Sequence, residues 1–181
     1  MTNQELREFN KKRTIRQICV VTKDIDKAMK HWVEYLGIGP WRVIAFTEKT
    51  ITDFVVAGKP VTEPFKFILA FADVGDIEFE LVQPVYGPNV YRKFLEERGE
   101  GLHHIKEKIS DDNMEKVVAD FRKKGIEVTQ TGLFQASRHY YLNTEPFVDI
   151  IYELGNCPVQ TVPPEIVRVY PEEQTCPGGS Q

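Results

Sequence analysis

Two glutamates stand inside stretches that are otherwise apolar and typical of β-strands. Glu80 lies within residues 77–83 (IEFELVQ), and Glu153 lies within residues 148–154 (VDIIYEL). Carboxylates are rarely buried unless an opposite charge or a metal ion compensates them. Metal binding is therefore one interpretation of both residues. The alternative is that each lies on the polar face of a half-exposed strand.

Adjacent histidines, His103 and His104, begin another strand-like stretch. Neighbouring residues on a strand point to opposite faces, so only one of the two rings is expected to face a given site. The same alternation predicts that Lys106 and Lys108 share the face of His104. A cation there could bind a substrate carboxylate or phosphate, or stabilise an enolate. The alternative is a salt bridge to Glu78 or a solvated end of the sheet.

His139 and Tyr141 share one face of the stretch 138–142 (RHYYL). An imidazole on a face that lines a pocket could serve as an acid–base group. The alternative is a histidine that is satisfied in the core or at the surface.

A faint internal repeat indicates which elements position these residues. Residues 15–22 (IRQICVVT) are rich in β-branched side chains and predict a strand, and residues 27–36 have helical apolar spacing. The same order returns at 102–110 and 114–124, and a glycine follows each helix. Three strand-like stretches come after each helix: 41–47, 66–72 and 77–83 in the first half, and 127–131, 138–142 and 148–154 in the second. The sequence therefore predicts an α+β fold built from two βαβββ modules.

The predicted organisation has five parts. They are an N-terminal arm (1–13), a first module (14–83), a linker with a helix (84–101), a second module (102–155) and a proline-rich tail (156–181). Proline fixes φ and lacks an N–H donor, so we expect the tail to be extended over the surface with a frayed end.

Three motifs in the middle of the chain carry a resemblance to a known family. Residues 101–105 (GLHHI) are similar to the segment that opens the second module of methylmalonyl-CoA epimerases. Residues 74–84 (VGDIEFELVQP) resemble their VGDxxxELLxP segment, and residues 94–99 (FLEERG) resemble their linker helix. Over residues 14–155 the chain resembles methylmalonyl-CoA epimerase-like proteins of the vicinal oxygen chelate (glyoxalase/bleomycin resistance) superfamily. The resemblance implies a glyoxalase fold, in which a cupped mixed sheet surrounds a metal site.

In that superfamily, four metal ligands come from the first and last strands of both modules. Carried over by position, the resemblance implies that Gln17, Glu80, His104 and Glu153 bind one divalent ion, which could be Zn, Ni, Co or Mn. This assignment leaves His103 as a packed or hydrogen-bonded residue. Gln17 departs from the epimerases, which have histidine there, whereas the Gln/Glu/His/Glu set is that of eukaryotic glyoxalases I. Two carboxylates, an imidazole and an amide oxygen are suitable ligands for such ions.

The activity that the resemblance implies is that of a metal-dependent isomerase or epimerase, which moves a proton next to a carbonyl through a metal-stabilised enolate or enediolate. Glu153 is expected to act as both ligand and base, with Lys106 as a nearby cation. Glu63, near the position of a second catalytic carboxylate in the epimerases, or His139 is expected to carry the second proton. The expected substrate has vicinal oxygens, as in an acyl thioester, a 2-hydroxy ketone or a keto sugar.

The four implied ligands help to discriminate between other functions of proteins with the same fold. A glyoxalase-type lyase would keep the same four ligands. A non-catalytic protein that binds or sequesters a small molecule is the main non-enzyme alternative, although such proteins usually lack the full set. An extradiol dioxygenase needs two histidines and one carboxylate on iron, and Gln17 removes one of those histidines.

Bulk properties exclude several partners. The formal charge of −4 over 181 residues argues against nucleic-acid binding. The sequence has neither an apolar run of 18 or more residues nor a secretory start, so a cytoplasmic protein without a membrane partner is expected.

Cys19, Cys157 and Cys176 are widely separated and are expected to be reduced thiols. Exposed edge strands in such modules are often covered by a second chain, and a homodimer is therefore expected.

Overall fold

A mixed sheet of 11 strands organises the computed structural model, which describes residues 1–172. The strands are β1 (Ile15–Val21), β2 (Trp41–Thr47), β3 (Thr52–Val56), β4 (Lys59–Pro60), β5 (Lys66–Val74), β6 (Ile77–Tyr86), β7 (Gly101–Lys108), β8 (Val128–Phe134), β9 (Ser137–Leu142), β10 (Ile151–Gly155) and β11 (Arg168–Tyr170). The helices are α1 (Asn3–Asn10), α2 (Ile25–Leu36), α3 (Val90–Arg98), α4 (Asp111–Arg122) and α5 (Glu145–Val148), with a 3-10 turn at Pro164–Ile166. Cys176 and the end of the predicted tail lie outside the described residues.

The strand order shows two related halves, β2-β5-β6-β1 and β7-β10-β9-β8, that meet where β1 pairs antiparallel with β7. In each half the first strand pairs parallel with the last, β1 with β6 and β7 with β10. The predicted α+β fold with paired βαβββ units is confirmed. The first and last strands of both halves therefore form the centre of the sheet, where the predicted ligands lie.

The two long helices pack on the outer face of the sheet. Asp24 caps the N-terminus of helix α2, and its side chain accepts a hydrogen bond from the Lys27 amide. The helix buries Met29 in a cluster with Trp41 and Leu81. Helix α4 buries Met114 and Val118 against Leu142 and Leu154 in a second cluster. With both helices outside, the inner face of the curved sheet is left for the site.

The hairpin β3–β4 is an element that the sequence did not predict. It follows β2 along the chain, yet β3 pairs antiparallel with β8 at the far end of the sheet. The chain between β2 and β5 therefore crosses the inner face and buries Ile51 and Phe54 there. This crossing adds an apolar wall to the cup.

The tail crosses the cup in the other direction. After β10 it runs to the opposite end of the sheet, where β11 pairs antiparallel with β2 and Arg168 forms an ion pair with Asp26. Apart from the 3-10 turn at Pro164–Ile166, the tail is extended as far as residue 172. Within the described residues, β11 covers the outer edge of β2, and the other edge is the two-residue strand β4. Neither edge of the described sheet is thus a long exposed strand that a second chain would need to cover. The homodimer stays a prediction.

The strand predicted at 148–154 is shorter than expected. Residues Glu145–Val148 form the short helix α5, which has Pro146 in its first turn and ends at Asp149 in the left-handed region (φ 57°). Strand β10 begins only at Ile151, so Glu153 lies at the middle of a five-residue strand.

Candidate metal centre and adjoining cavity

Strand register brings the four predicted ligands together on the inner face. Gln17 on β1 lies opposite Glu78 on β6 and Lys106 on β7, and Lys106 in turn lies opposite Glu153 on β10. Two residues further along β1, Cys19 lies opposite Glu80 on β6 and opposite His104 on β7. The ligand side chains are all buried, with exposed fractions of 4% or less: Gln17, Glu80, His104 and Glu153.

Three oxygen atoms surround one ring nitrogen, Nε2 of His104. Glu153 Oε2 lies 2.8 Å from it, Gln17 Oε1 lies 3.3 Å from it, and Glu80 Oε1 lies 3.8 Å from it. Where each ligand is about 2.0–2.2 Å from a metal ion, neighbouring ligand atoms are separated by roughly 3 Å. The three oxygens therefore share one neighbour, His104 Nε2, and each lies within 3.8 Å of it.

Two of these oxygens also lack a hydrogen-bond partner. Within residues 1–172, neither Glu80 Oε1 nor Glu153 Oε2 has a partner with good hydrogen-bond geometry, and both are buried beside the single ring nitrogen of His104. Leaving a buried carboxylate oxygen unsatisfied is costly, and a single ring N–H could satisfy only one of them. A divalent cation beside His104 would compensate both carboxylates, so the donor types present suit the metal that the fold commonly binds.

His103 shows a departure from the simple alternation. The pairing of β7 with β1 passes from His104 opposite Cys19 directly to Leu102 opposite Val20, so His103 is an extra residue in a β-bulge. Its ring consequently lies on the side of the His104 ring, with 2.8 Å between the two Nδ1 atoms. The expectation that the two rings point to opposite faces is wrong in this respect, whereas the prediction of a packed, hydrogen-bonded His103 agrees with its full burial.

A second group of donors lies on the Nδ1 side of His104. The Cys19 thiol and the rings of His103 and His104 bring their ligand atoms within 4.8 Å of one another. The cavity described below is lined by Gln17, Glu80 and Glu153, and neither Cys19 nor His103 lines it. We therefore place the candidate metal on the Nε2 side, where a substrate could reach it. The Nδ1–Nδ1 contact then holds the His104 ring in place.

Lys106 forms an ion pair with Oε1, the second carboxylate oxygen of Glu153. Its Nζ lies 2.8 Å from Glu153 Oε1, so Oε2 is turned towards His104. The lysine passes through space that Gly155 leaves free, because a Cβ at that glycine would lie 2.7 Å from Lys106 Cε. Burial would raise the pKa of Glu153, but the Lys106 ammonium and His104 lower it to about 2. In contrast, burial raises the pKa of Glu80 to about 7, against the opposing effect of His104.

His139 lies beside this centre and also lines the cavity. Its Nε2 is buried and has no hydrogen-bond partner in the described part of the chain. Burial lowers the pKa of His139 to about 4, although Glu153 opposes the shift. A neutral imidazole with a free nitrogen can accept a proton from a bound molecule. Tyr141, on the same strand, instead shares a 2.7 Å hydrogen bond with the Tyr91 hydroxyl.

The cavity has a volume of about 470 Å³ and two contrasting ends. Gln17, Glu80, Glu153 and Lys106 form one end, near the partly exposed Arg42 and Glu78. The other end is apolar. Cys157, Pro158, Gln160 and Val162 of the tail also form part of the cavity wall. The apolar side chains that line the cavity are Ile44, Phe46, Ile51, Phe67, Leu69, Phe71 and Phe134.

Some residues singled out from the sequence lie elsewhere. Glu63 is exposed in the loop between β4 and β5 and does not line the cavity. Lys108 is exposed at the end of β7. Glu78, which sequence reasoning treated only as a salt-bridge partner, instead accepts a hydrogen bond from Gln17 Nε2 at 2.7 Å. Its shared face with Glu80 was the signal that could have indicated this role.

Comparison with known proteins identifies the family. The family model of the Glyoxalase/Bleomycin resistance protein/Dioxygenase superfamily matches residues 16–142. The chain belongs to this superfamily, whose members are often enzymes and commonly bind a divalent metal ion. A search among curated proteins finds no match. Among residues 1–172, no helix has the length and apolar character needed to span a membrane.

Solved structures show the same fold at low identity. A hypothetical protein from Bacillus halodurans C-125 is 17% identical with a TM-score of 0.59, and the match covers 84% of this chain and 99% of that one. Methylmalonyl-CoA epimerase from Mycobacterium tuberculosis is 17% identical with a TM-score of 0.51, covering 78% and 85%. A variant of the Streptomyces coelicolor methylmalonyl-CoA epimerase, in complex with 2-nitronate-propionyl-CoA, is 22% identical with a TM-score of 0.52, covering 82% and 97%.

Proposed function

We propose that the chain is a metal-dependent isomerase or epimerase that moves a proton on a carbon next to a carbonyl. The observation that carries this proposal is the convergence of three oxygens on His104 Nε2 at the wall of a cavity that also contains His139 and Lys106. The methylmalonyl-CoA epimerases that share the fold support the reaction class, with vicinal oxygens in the substrate.

Gln17, Glu80, His104 and Glu153 would hold the metal ion, with zinc, nickel, cobalt and manganese as suitable ions. When bound, such an ion supplies Lewis-acid polarisation of a carbonyl oxygen and so acidifies the neighbouring C–H group. The buried pocket of the four ligands excludes water from their inner side.

The protein's own residues divide the proton chemistry. His139 is the favoured proton carrier because its Nε2 lacks a partner among the described residues and its side chain lines the cavity. Glu153 is held as an ionised ligand by Lys106, and it would act as a base only after that ion pair loosens. The Lys106 ammonium can also stabilise negative charge that develops on a substrate oxygen. Glu63 is not part of this proposal because it is exposed outside the cavity.

Solvent deuterium exchange tests the proposal. Metal-loaded protein is offered 2-methyl-3-oxo acyl thioesters, 2-hydroxy ketones, keto sugars and 2-oxo acids in D₂O, and exchange beside the carbonyl is followed by NMR. We expect exchange with at least one class, its loss in Glu80→Ala, and strong slowing in His139→Ala. Glu63→Gln is the matched control and should exchange as the wild type does. Absence of exchange across the panel would count against proton transfer.

The apolar end of the cavity is the observation that favours a second function, the binding or sequestration of a small molecule without chemistry. Metal analysis separates the two functions. A stoichiometric divalent ion that is lost in Glu80→Ala supports the enzyme, whereas a purified protein that binds no added divalent ion supports sequestration.

A further inference from the structure

The apolar end of the cavity extends beyond the metal ligands along three phenylalanine rings. Phe46, Phe67 and Phe134 are nearly buried, yet their side chains border the cavity rather than filling it. Their rings contact each other, with 4.8 Å between the centroids of Phe46 and Phe134 and 5.6 Å between those of Phe46 and Phe67. The three rings form an aromatic wall against which an apolar group could pack.

The order of residues along β5 places this aromatic wall relative to the metal centre. Phe71 lies opposite Glu80, Leu69 lies opposite Val82, and Phe67 follows two residues further along. Alternate residues of a strand share a face, so these three side chains form a continuous apolar path that leads away from Glu80. Phe71, Leu69 and Phe67 all line the cavity.

Exposed charged residues lie at the end of the cavity where the metal ligands are. Arg42 has 46% of its side chain exposed and pairs with Asp73 and Glu78 at the turn between β5 and β6. This turn lies at the end of β5 that is remote from Phe67. A molecule entering there meets the charged residues first, the metal ligands next and the aromatic wall last.

We infer that the substrate carries its vicinal oxygens on a compact molecule with an aryl-sized apolar substituent, as in an aromatic 2-oxo acid. The substituent lies along Leu69 towards the aromatic wall, the oxygens lie at the four ligands, and the acid group lies within reach of Lys106. This inference rests on the proposed function and names its substrate class.

Inert chelators that differ by a phenyl group test it directly. Oxamate and N-phenyloxamate present the same vicinal oxygens, and their affinities for the metal-loaded protein are measured by titration calorimetry. Burial of a phenyl group should make N-phenyloxamate bind at least about tenfold more tightly. Leu69→Phe narrows the path, and we expect the ratio of the two affinities to fall to about one in this variant.

The binding results distinguish failure of the inferred substrate class from failure of the proposed function. Oxamate binding without a phenyl gain, or a gain that Leu69→Phe leaves intact, would overturn the substrate class alone. Binding of neither chelator would overturn both. Deuterium exchange at C3 gives a second measurement, with the rate for phenylpyruvate expected to exceed that for pyruvate relative to their uncatalysed exchange. The near-ultraviolet circular dichroism spectrum of Leu69→Phe checks that this variant is folded.

Discussion

The Gln17 amide is oriented by Glu78, whose Oε1 accepts a 2.7 Å hydrogen bond from Gln17 Nε2. An ionised carboxylate only accepts hydrogen bonds, so the NH₂ group of the amide must face it. The amide oxygen is consequently left 3.3 Å from His104 Nε2. Arg42 holds the other oxygen of Glu78 at 3.4 Å. An amide that could bind a metal only through its oxygen is thereby held in the productive orientation.

Glu78→Ala should therefore weaken metal binding without removing a ligand. Loss of a partner that orients a ligand typically lowers metal affinity about 10- to 100-fold. Glu78→Gln should weaken it less, because its amide oxygen can still accept from Gln17. Competition with a chromophoric chelator gives the affinities. Asp73→Ala is the control, since it removes the other carboxylate that contacts Arg42 but does not touch Gln17. Equal affinity in Glu78→Ala and wild type would show that Glu78 does not orient the ligand.

Lys106→Met should destabilise the metal-free protein more than the metal-bound protein. Removing one member of a buried ion pair leaves Glu153 uncompensated and costs roughly 3 kcal/mol. A bound divalent ion would supply the missing positive charge. The rise in Tm on adding metal should thus be larger in Lys106→Met than in wild type, as measured by calorimetric unfolding. Lys108→Met, on the same strand but exposed, should match wild type. A smaller metal-induced rise in Lys106→Met than in wild type would contradict the assignment.

Gly87→Ala should lower the free energy of unfolding by about 3 kcal/mol or more. Gly87 has φ of 76°, and a Cβ there would lie 2.6 Å from Phe65 Cα and also meet the Pro64 carbonyl oxygen. Gly58 has a similar φ of 73°, but its Cβ would have no neighbour within 4 Å among the described residues. Gly58→Ala should therefore cost only the left-handed backbone strain, about 1–2 kcal/mol. Similar denaturation midpoints for the two variants would argue against the close approach at Gly87.

Stability should fall in acid partly through the contacts of Glu107. This carboxylate accepts from Arg13 Nε at 2.8 Å and from the Tyr152 hydroxyl at 2.6 Å. Burial would raise the pKa of Glu107, but the hydrogen bonds from Arg13 and Tyr152 lower it overall. A lowered pKa in the folded state gives stability that is present above the unfolded value of about 4.3 and is lost as the pH falls through the folded value.

The measurement is urea unfolding of wild type and Glu107→Gln from pH 7 to pH 3. The stability advantage of the wild type should be constant above about pH 5 and should narrow at lower pH. Glu97→Gln, at an exposed ion pair on α3, should stay within about 0.5 kcal/mol of wild type throughout. An advantage of wild type over Glu107→Gln that persists unchanged to pH 3 would exclude this contribution.

Local patterns were sufficient for much of the fold. β-Branched content and helical spacing predicted β2 with the bounds observed, and they predicted β1, α2 and α4 to within a few residues. The internal repeat correctly indicated paired βαβββ units because each unit repeats the same short-range order. Glu80 and Glu153 could be recognised because a carboxylate within an apolar strand conflicts with burial unless something compensates its charge.

Long-range pairing explains what the sequence did not reveal. The hairpin β3–β4 is stabilised by β8, which lies more than 70 residues away, and its own sequence carries no signal for that partner. The bulge at His103 depends on the register between β7 and β1, which alternation within one strand cannot indicate. The role of Glu78 likewise depends on the strand pairing that places it beside Gln17.

The path of the tail has a mechanical consequence. Between Gly155 and Tyr170 the chain leaves one half of the sheet and becomes the outermost strand of the other, beside Trp41. Besides the pairing of β1 with β7, two segments of the chain therefore connect the halves: the linker that contains α3, and the tail that passes along the cavity wall to β2. Moving the two halves apart to admit a large ligand would require β11 to detach from β2. A small ligand could enter while β11 stays paired with β2.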